Sequence, residues 1–448
     1  MNILRSIFFS LLFAAFFASC NSGGQRSLAP MTAEDEALMD KVQRQTFYYF
    51  WDGAEPTSGL ARERYHVDGV YPQNDKHVVT SGGSGFGIMA IIAAIERGYI
   101  TREQGLERFT KIMNWLEKAD RFQGAFPHWW NGETGEVKPF SRRDDGGDLV
   151  ETSFMLQGLL TLHQYYKDGS DAEKAIAARI DKMWREVNFD WYRNGENVLF
   201  WHWSPQHEWE MNFRVRGWNE CLIMYILAAA SPTYGVGAEV YHEGWAQSGQ
   251  LATPSEVEGF PLQMFQQVRP AGPLFWQHYS FLGLDPRGLK DKYADYWTEN
   301  VNQTLINRAY CIRNPLGFEG YSAENWGLTA SYSVRGYVAH APQEREDRGV
   351  ITPTAALSSI VYTPEYSMDA MRFFYNTVGD RLWGKYGFYD AFSIHHDWFP
   401  QRYLAIDQGP IPVMIENFRS QLLWNLFMSH PDVQNGLRKL GFESPHLN

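Results

Sequence analysis

Three groups of carboxylates in the sequence each stand where an apolar helix begins. Asp144, Asp148 and Glu151 lie in Arg142-Arg143-Asp144-Asp145-Gly146-Gly147-Asp148-Leu149-Val150-Glu151. If a helix starts near Gly147, Asp148 and Glu151 project on one side of its first turn. Acids at a helix N-terminus are common, since they meet the positive end of its dipole. Here the helix that follows is apolar on nearly every side, so its first turn faces an enclosed mouth. Like charges crowded there mark a functional site. Glu220 opens a second apolar helix, beside Trp218 and after Trp201-His202-Trp203 and Trp209. Desolvation would raise its pKa and keep a proton on it for donation. A cap, or an ion pair with Arg214 or Arg216, reads the same residue without chemistry. Asp407, in Ile406-Asp407-Gln408-Gly409-Pro410, precedes a third apolar helix, with an N-terminal cap as the competing reading. Asp390 and Asp397 stand upstream of it, and Glu416 and Asn417 inside that helix.

Acids opening inner helices next to tryptophan-rich loops form a layout suited to carbohydrate cleavage. Glycoside hydrolysis needs two carboxyl groups flanking the bond, one to donate a proton and one to activate water or attack. Flat faces are in excess: aromatic residues are 16% of the chain, with 17 Trp, 24 Tyr and 29 Phe. Trp201, Trp203, Trp209 and Trp218 flank Glu220 and are the stacking candidates, with Arg216, Glu416, Asp144, Asp148 and Glu151 as further sugar-binding candidates. Other chemistries lack their motifs. Gly82-Gly83-Ser84-Gly85-Phe86 is not a nucleophile elbow, and Gly83-Ser84-Gly85-Phe86-Gly87 lacks the third glycine of a dinucleotide loop. His202, His207, Glu208 and Glu210, and His395-His396-Asp397, have no helical metal spacing. No cofactor and no metal are expected.

The elements that must position these residues read as helical hairpins. Apolar periodicity predicts helices over Ala33–Trp51, Ser84–Arg97, Thr101–Ala119, Leu149–Tyr166, Ala172–Val187 and Glu220–Ala230. It continues over Pro273–Leu282, Asp291–Arg308, Thr354–Val361, Ser367–Val378, Pro410–Ser429 and Pro431–Leu440. Thr101 is placed as an N-cap, with Gln104 completing a capping box. Nearly all-apolar helices alternate with amphipathic charged ones, as inner and outer helices of an all-α toroid of about six pairs would. Alternating strands with crossover helices are absent, as is a strict 34-residue repeat. The long loops Phe122–Gly147, Asn188–Arg216, Ala238–Gly272 and Tyr386–Gly409 are rich in Trp, Gly and Pro and are expected over one mouth.

The 448 residues carry a net charge of −12, which argues against nucleic acid as a partner. Arg5 precedes an apolar run from Ile7 to Ala18, too short and too early for a spanning helix and suited to an export signal. The run ends in Phe-Ala-Ser-Cys, which resembles a bacterial lipoprotein cleavage box with Cys20 as the lipidated residue. A plain cleaved signal is the competing reading. Residues 1–20 are therefore expected as signal, 21–34 as a flexible tether, and 35–445 as a single domain. No other apolar stretch reaches 18 residues, so the membrane is expected to be met only through the lipid anchor. Cys221 and Cys311 could pair, but sequence cannot place them within bonding distance, and two buried free thiols are the favoured reading.

The segments Phe50-Trp51-Asp52, Gly59-Leu60, Thr80-Ser81-Gly82 through Gly87, Asp144 with Asp148 and Glu151, Asn219-Glu220 and Ile415-Glu416-Asn417-Phe418-Arg419-Ser420 resemble the bacterial glucoamylase-like domain. That grouping includes glycoside hydrolase family 144, the bacterial β-1,2-glucanases. The resemblance implies an (α/α)6 barrel and anomer-inverting hydrolysis. It implies that Glu220 matches the acid, Asp407 the acid near the water, and Asp144, Asp148 and Glu151 the cluster lining the sugar cleft. The expectation is a monomeric, exported lipoprotein, on the periplasmic face of the outer membrane or the cell surface, that cleaves a β-glucan, with β-1,2 linkage favoured. An α-glucan hydrolase on the same barrel and a non-catalytic glycan binder are the alternatives.

Overall fold

A computed structural model describes residues 31–264 and 271–447. The export signal, Cys20 and the tether up to residue 30 lie outside the described residues. Helices dominate the regular structure of the described chain: α1 (Ala33–Trp51), α2 (Ser81–Glu96), α3 (Arg102–Leu116), α4 (Leu149–Tyr166), α5 (Asp171–Glu186), α6 (Leu222–Ala230), α7 (Tyr296–Arg313), α8 (Pro353–Leu357), α9 (Pro364–Asn376), α10 (Gly379–Leu382), α11 (Ala405–Gln408), α12 (Pro410–Ser420), α13 (Leu422–Met428) and α14 (Pro431–Leu440). No described helix is long and apolar enough to cross a membrane.

Residue type decides which helices are inside. All of Ser81–Ala94 in α2 is buried, and α4 is buried apart from His163 and Tyr165. Such all-round apolar helices need protein on every side. Outer helices are amphipathic: α5 buries Ile176, Ala177, Ile180, Met183 and Trp184 and, apart from Glu173, which pairs with Arg102, leaves its charges outside. The inner segments are α2, α4, α6, the Leu274–Leu282 stretch, α8 and α12. Their outer partners are α3, α5, α14, α7, α9 and α1. α1 packs on α12 and α2, so the first hairpin closes against the last and the ring is an (α/α)6 barrel. Glycine sets its tightest contact. A Cβ on Gly85 of α2 would stand 2.2 Å from the Phe154 carbonyl of α4, and one on Gly158 2.2 Å from the Gly85 carbonyl.

The caps follow local rules. Thr101 and Gln104 form the expected capping box, and Asp148 caps α4 by accepting the Glu151 N–H at 2.9 Å. Three expectations change. Pro273–Leu282 is not an α-helix but a 3₁₀ turn over Leu274–Gln277 followed by turns. The side chain of Gln157 takes the Tyr279 carbonyl and the Gly283 N–H, satisfying backbone groups that a helix would otherwise pair. Thr354–Val361 keeps regular helix only to Leu357, after which i→i+3 bonds tighten the chain. Pro410–Ser429 is two helices, broken at Gln421, which stands at φ 62°.

The N-terminal ends of α2, α4 and α6 and the α11–α12 entry open on one mouth. Short antiparallel pairs built by the long loops crown it: Val78–Thr80 with Trp129–Asn131, Gly147–Asp148 with His202–Trp203, Arg64–His66 with Arg402–Leu404, and Ala330–Tyr332 with Tyr337–Ala339. Cys221 and Cys311 are buried free thiols.

Candidate active site

The first acidic group forms around a histidine that the sequence does not advertise. His128, in the loop before α4, donates from Nδ1 to Asp148 Oδ2 at 2.9 Å, and its Nε2 stands 4.0 Å from Glu151 Oε1. Phe140 stacks on its ring at 4.0 Å. Burial opposes charge on His128, but Glu151 and Asp148 outweigh it and push the pKa up to about 10. The imidazolium is therefore the fixed cation of this wall. Asp148 also accepts from Trp201 Nε1 at 2.8 Å, and Glu151 accepts from the Gly82 N–H at 2.8 Å. Burial raises the Glu151 and Asp144 pKa values to about 7, with Asp148 nearby adding to both.

His202 sits behind Asp144 as a neutral ring: Gly146 N–H donates to its Nε2 at 3.1 Å, and burial lowers its pKa. His128, Asp144 and Asp148 each bring one ligand atom to within 4.8 Å of the others. A cation there would compete with the proton on His128, which those same carboxylates hold.

Across the mouth a second carboxyl group forms. Asp407, in α11, is 1% exposed, and neither oxygen has a hydrogen bond of regular geometry within the protein. Burial, then Asp390, pushes its pKa well above the usual carboxylate range. Asp390 accepts from the Tyr332 N–H at 2.8 Å and is raised to about 6, chiefly by burial. Two carboxyls this close share protons rather than both ionising. Glu63 adds a further carboxyl whose pKa burial raises, within the field of Asp407, Asp390 and His128. Tyr337, on the Tyr337–Ala339 strand, overhangs the mouth: it is 55% exposed, yet it feels Asp407, Asp390, Glu63 and Glu151.

Glu220 is half-buried just before α6, and Ser280 Oγ donates to its backbone carbonyl. It acts electrostatically on Tyr279 and Cys221, as do Glu151 and, at Tyr279, Asp407. Glu220, Glu151 and Asp407 thus all lie within electrostatic reach of the Tyr279 phenol. Arg214 is not the partner of Glu220, because Glu196 holds it.

The sequence-expected sugar-binding residues divide. Asp144 and Glu151 lie in the cluster, each with a narrow exposed edge. Asp148 is a correction: it is fully buried and bonded by His128, Trp201 and the Glu151 N–H, so it acts through them and cannot touch a sugar. Trp203 is half-buried beside the mouth, edge-on to Trp191 at 5.4 Å. Arg216 is exposed. Trp218 is a correction: it is 1% exposed, packed among Trp245, Phe281 and Tyr296, so its face is closed to a sugar. Glu416 is the other correction. Arg97, the C-cap of α2, grips it at 2.7 and 2.9 Å, and Gln43 and Ser420 also donate to it. Since α2 begins at the mouth, this ion pair lies at the opposite end of the barrel. The sequence named Trp201 only as a stacking face, left out His128, Glu63, Tyr279 and Tyr337, and did not single out Asp390. Apart from Tyr279, which falls in the stretch expected as a helix, each lies in a loop or short strand, where no periodicity points.

The chain is similar to several known proteins. The family described as "Glycoamylase: Putative glucoamylase" matches residues 212–431. An endo-β-1,2-glucanase from Chitinophaga pinensis, solved with sophorotriose and glucose, is 64% identical with a TM-score of 0.91, covering 92% of this chain and 99% of that one. A curated exo β-1,2-glucooligosaccharide sophorohydrolase from Parabacteroides distasonis is 47% identical over 92% of this chain, which spans 58% of that relative's length. An endo-β-1,2-glucanase from Talaromyces funiculosus shares the fold at 12% identity and a TM-score of 0.64, over 90% of each chain.

Proposed function

Because the chain belongs to the glucoamylase-like family that includes bacterial endo- and exo-β-1,2-glucanases, we propose that it is a glycoside hydrolase that cleaves β-1,2-glucan with inversion. The observation that carries the mechanism is that Glu220 and Asp407, itself paired with Asp390, both lie within electrostatic reach of the buried Tyr279 phenol. Glu220 gives its proton to the glycosidic oxygen as the C1–O bond breaks. Water attacks C1 from the other face, and its proton passes to the Asp407–Asp390 pair. Oxygens of Asp407 that lack a protein partner are suited to hold that water. A pair carrying one negative charge remains a base, and a raised proton affinity makes it a stronger one. The His128 imidazolium keeps the Glu151–Asp148 wall from repelling the departing electron pair. Trp203 and Tyr337 supply aromatic faces at the rim.

The test is a linkage panel. The protein is incubated with β-1,2-, β-1,3-, β-1,4- and α-1,4-glucans, and new reducing ends are counted. Release from the β-1,2 polymer alone supports the reading. Release from α-1,4-glucan instead moves the activity to the α-linked class, and release from none returns the chain to a glycan binder.

The same proposal covers the cell. Residues 35–445 act as one monomeric domain, exported and held at a membrane by lipid on Cys20, at the periplasmic or outer surface. Cys20→Ser should move the protein from the membrane to the soluble fraction with its activity intact. A variant still pelleting with membranes would place the anchor elsewhere.

A further inference from the structure

The His128 ring is held from three sides. Its backbone is pinned at the entry of α2, where the Ser81 N–H donates to the His128 carbonyl at 3.2 Å and Thr80 pairs with Trp129. Its Nδ1 is spent on Asp148 at 2.9 Å, and Phe140 stacks on the ring at 4.0 Å. Glu151 is held as firmly, because its Oε2 accepts from the Gly82 N–H at 2.8 Å. What remains is Nε2 of His128 and Oε1 of Glu151, which face each other across 4.0 Å. The two side chains keep a narrow exposed edge, 16% and 8%. A separation of 4.0 Å is too long for one hydrogen bond and suits two of about 2.8 Å that meet at a shared oxygen.

The pair offers one donor and one acceptor. With the proton on the ring, Nε2–H donates and Oε1 accepts; with the proton on Glu151, the roles exchange. A hydroxyl answers both at once. An anion would meet the charges of Glu151 and Asp144, and an ammonium group would meet the imidazolium. Beside the gap, Asp144 brings a carboxylate oxygen within 4.8 Å of ligating atoms of His128 and Asp148. Its Oδ1 has no hydrogen bond within the protein, although the residue is only 5% exposed. His202 Nε2, 3.5 Å from that oxygen, already accepts the Gly146 N–H and has no proton to give. A buried acceptor left open next to a donor–acceptor pair suits a ligand rich in O–H groups. Building on the glucanase reading, we propose that His128 and Glu151 clasp one hydroxyl of a bound glucosyl unit through its single oxygen, and that Asp144 accepts from a neighbouring hydroxyl. His128 is then a sugar-binding residue as well as the cation of its wall.

The test uses Glu220→Gln, in which turnover is blocked, with sophorotriose as the probe. The His128 Nε2–H signal in proton–nitrogen NMR, assigned through its contact with the Phe140 ring, should move and exchange more slowly with water when the sugar is added. Among sophorotriose analogues that each lack one free hydroxyl, at least one should bind about tenfold to a hundredfold more weakly by calorimetry. Adding Glu151→Gln should shrink that penalty to a few-fold, since the charged acceptor is gone. The inference falls if sophorotriose binds with the His128 signal unmoved, if every analogue binds alike, or if Glu151→Gln leaves the penalty unchanged. Should Glu151→Gln fail to fold, the NMR signal and the analogue series decide without it. If cellotriose or maltotriose binds in place of sophorotriose, with the same signal change and hydroxyl penalty, the β-1,2 assignment falls and the clasp stands. Binding of none of these sugars overturns both.

Discussion

Replacing His128 by Gln removes the cation that holds the first acidic wall together. The imidazolium is bonded to Asp148 at 2.9 Å, faces Glu151 at 4.0 Å, and is only 16% exposed. Its pKa stands at about 10 against an ordinary 6.5. At about 1.4 kcal/mol for each pH unit, that rise corresponds to about 5 kcal/mol of favourable interaction with the charged ring. Removing one partner of a buried charge pair costs about 3–5 kcal/mol, because the other charge is left uncompensated. Urea denaturation at neutral pH should show a loss in that range.

The pH dependence separates charge from packing. Stabilisation by a group whose pKa rises on folding is complete below the unfolded value of 6.5 and is lost as pH climbs through about 10. Glu151 and Asp144 have folded values of about 7, so below that they take up protons and their pull on the ring weakens. The difference between wild type and His128→Gln should therefore be greatest near pH 7, fall steadily as pH rises to about 10, and shrink again as pH drops below about 7. A cost that stays flat across that range would refute the electrostatic argument and reduce His128 to packing against Phe140.

Three further outcomes follow from the same geometry. Glu220→Gln and Asp407→Asn should each lower kcat by about a hundredfold or more while sophoro-oligosaccharide binding, read by calorimetry, is kept; near-wild-type turnover in either would remove that residue from the mechanism. Gly82→Ala would place a Cβ 2.4 Å from Glu151 Oε2, so the charged hydrogen bond should be lost at about 1.5–3 kcal/mol, with kcat falling alongside stability in the same preparation. Trp218→Ala should cost about 3–5 kcal/mol of folding stability with sugar affinity unchanged, and a weakened affinity in a stable variant would return Trp218 to the cleft.

Much of the barrel could be read from periodicity alone. α4 runs from Leu149 to Tyr166 as its apolar pattern demands, and Thr101 and Gln104 cap α3 through side chains three residues apart. The Leu274–Leu282 stretch could not be read this way, because the group that replaces its helix is the side chain of Gln157, more than a hundred residues away in sequence. The candidate site was legible where an acid opens an inner helix, as with Glu151, Glu220 and Asp407. Glu416 failed that rule. It stands six residues beyond Pro410, and at about 1.5 Å per residue this carries it about 9 Å down the helix, away from the mouth and onto Arg97. Trp218 shows that being close in sequence to the proposed acid says nothing about direction: its ring turns to Trp245 and Tyr296 while Glu220 stays half-exposed. His128 and Tyr337 carry no local signal, since each reaches the cleft from a crossing loop or hairpin.

The most direct test of the account is proton NMR of a fresh digest of β-1,2-glucan, recorded before mutarotation equilibrates the new ends. The account predicts that the first reducing-end signals belong to the α-anomer and grow at the enzymatic rate, with the β-anomer following at the slower rate of mutarotation. Early appearance of the β-anomer would contradict the paired roles of Glu220 and Asp407, and absence of any new reducing end would contradict the hydrolysis itself.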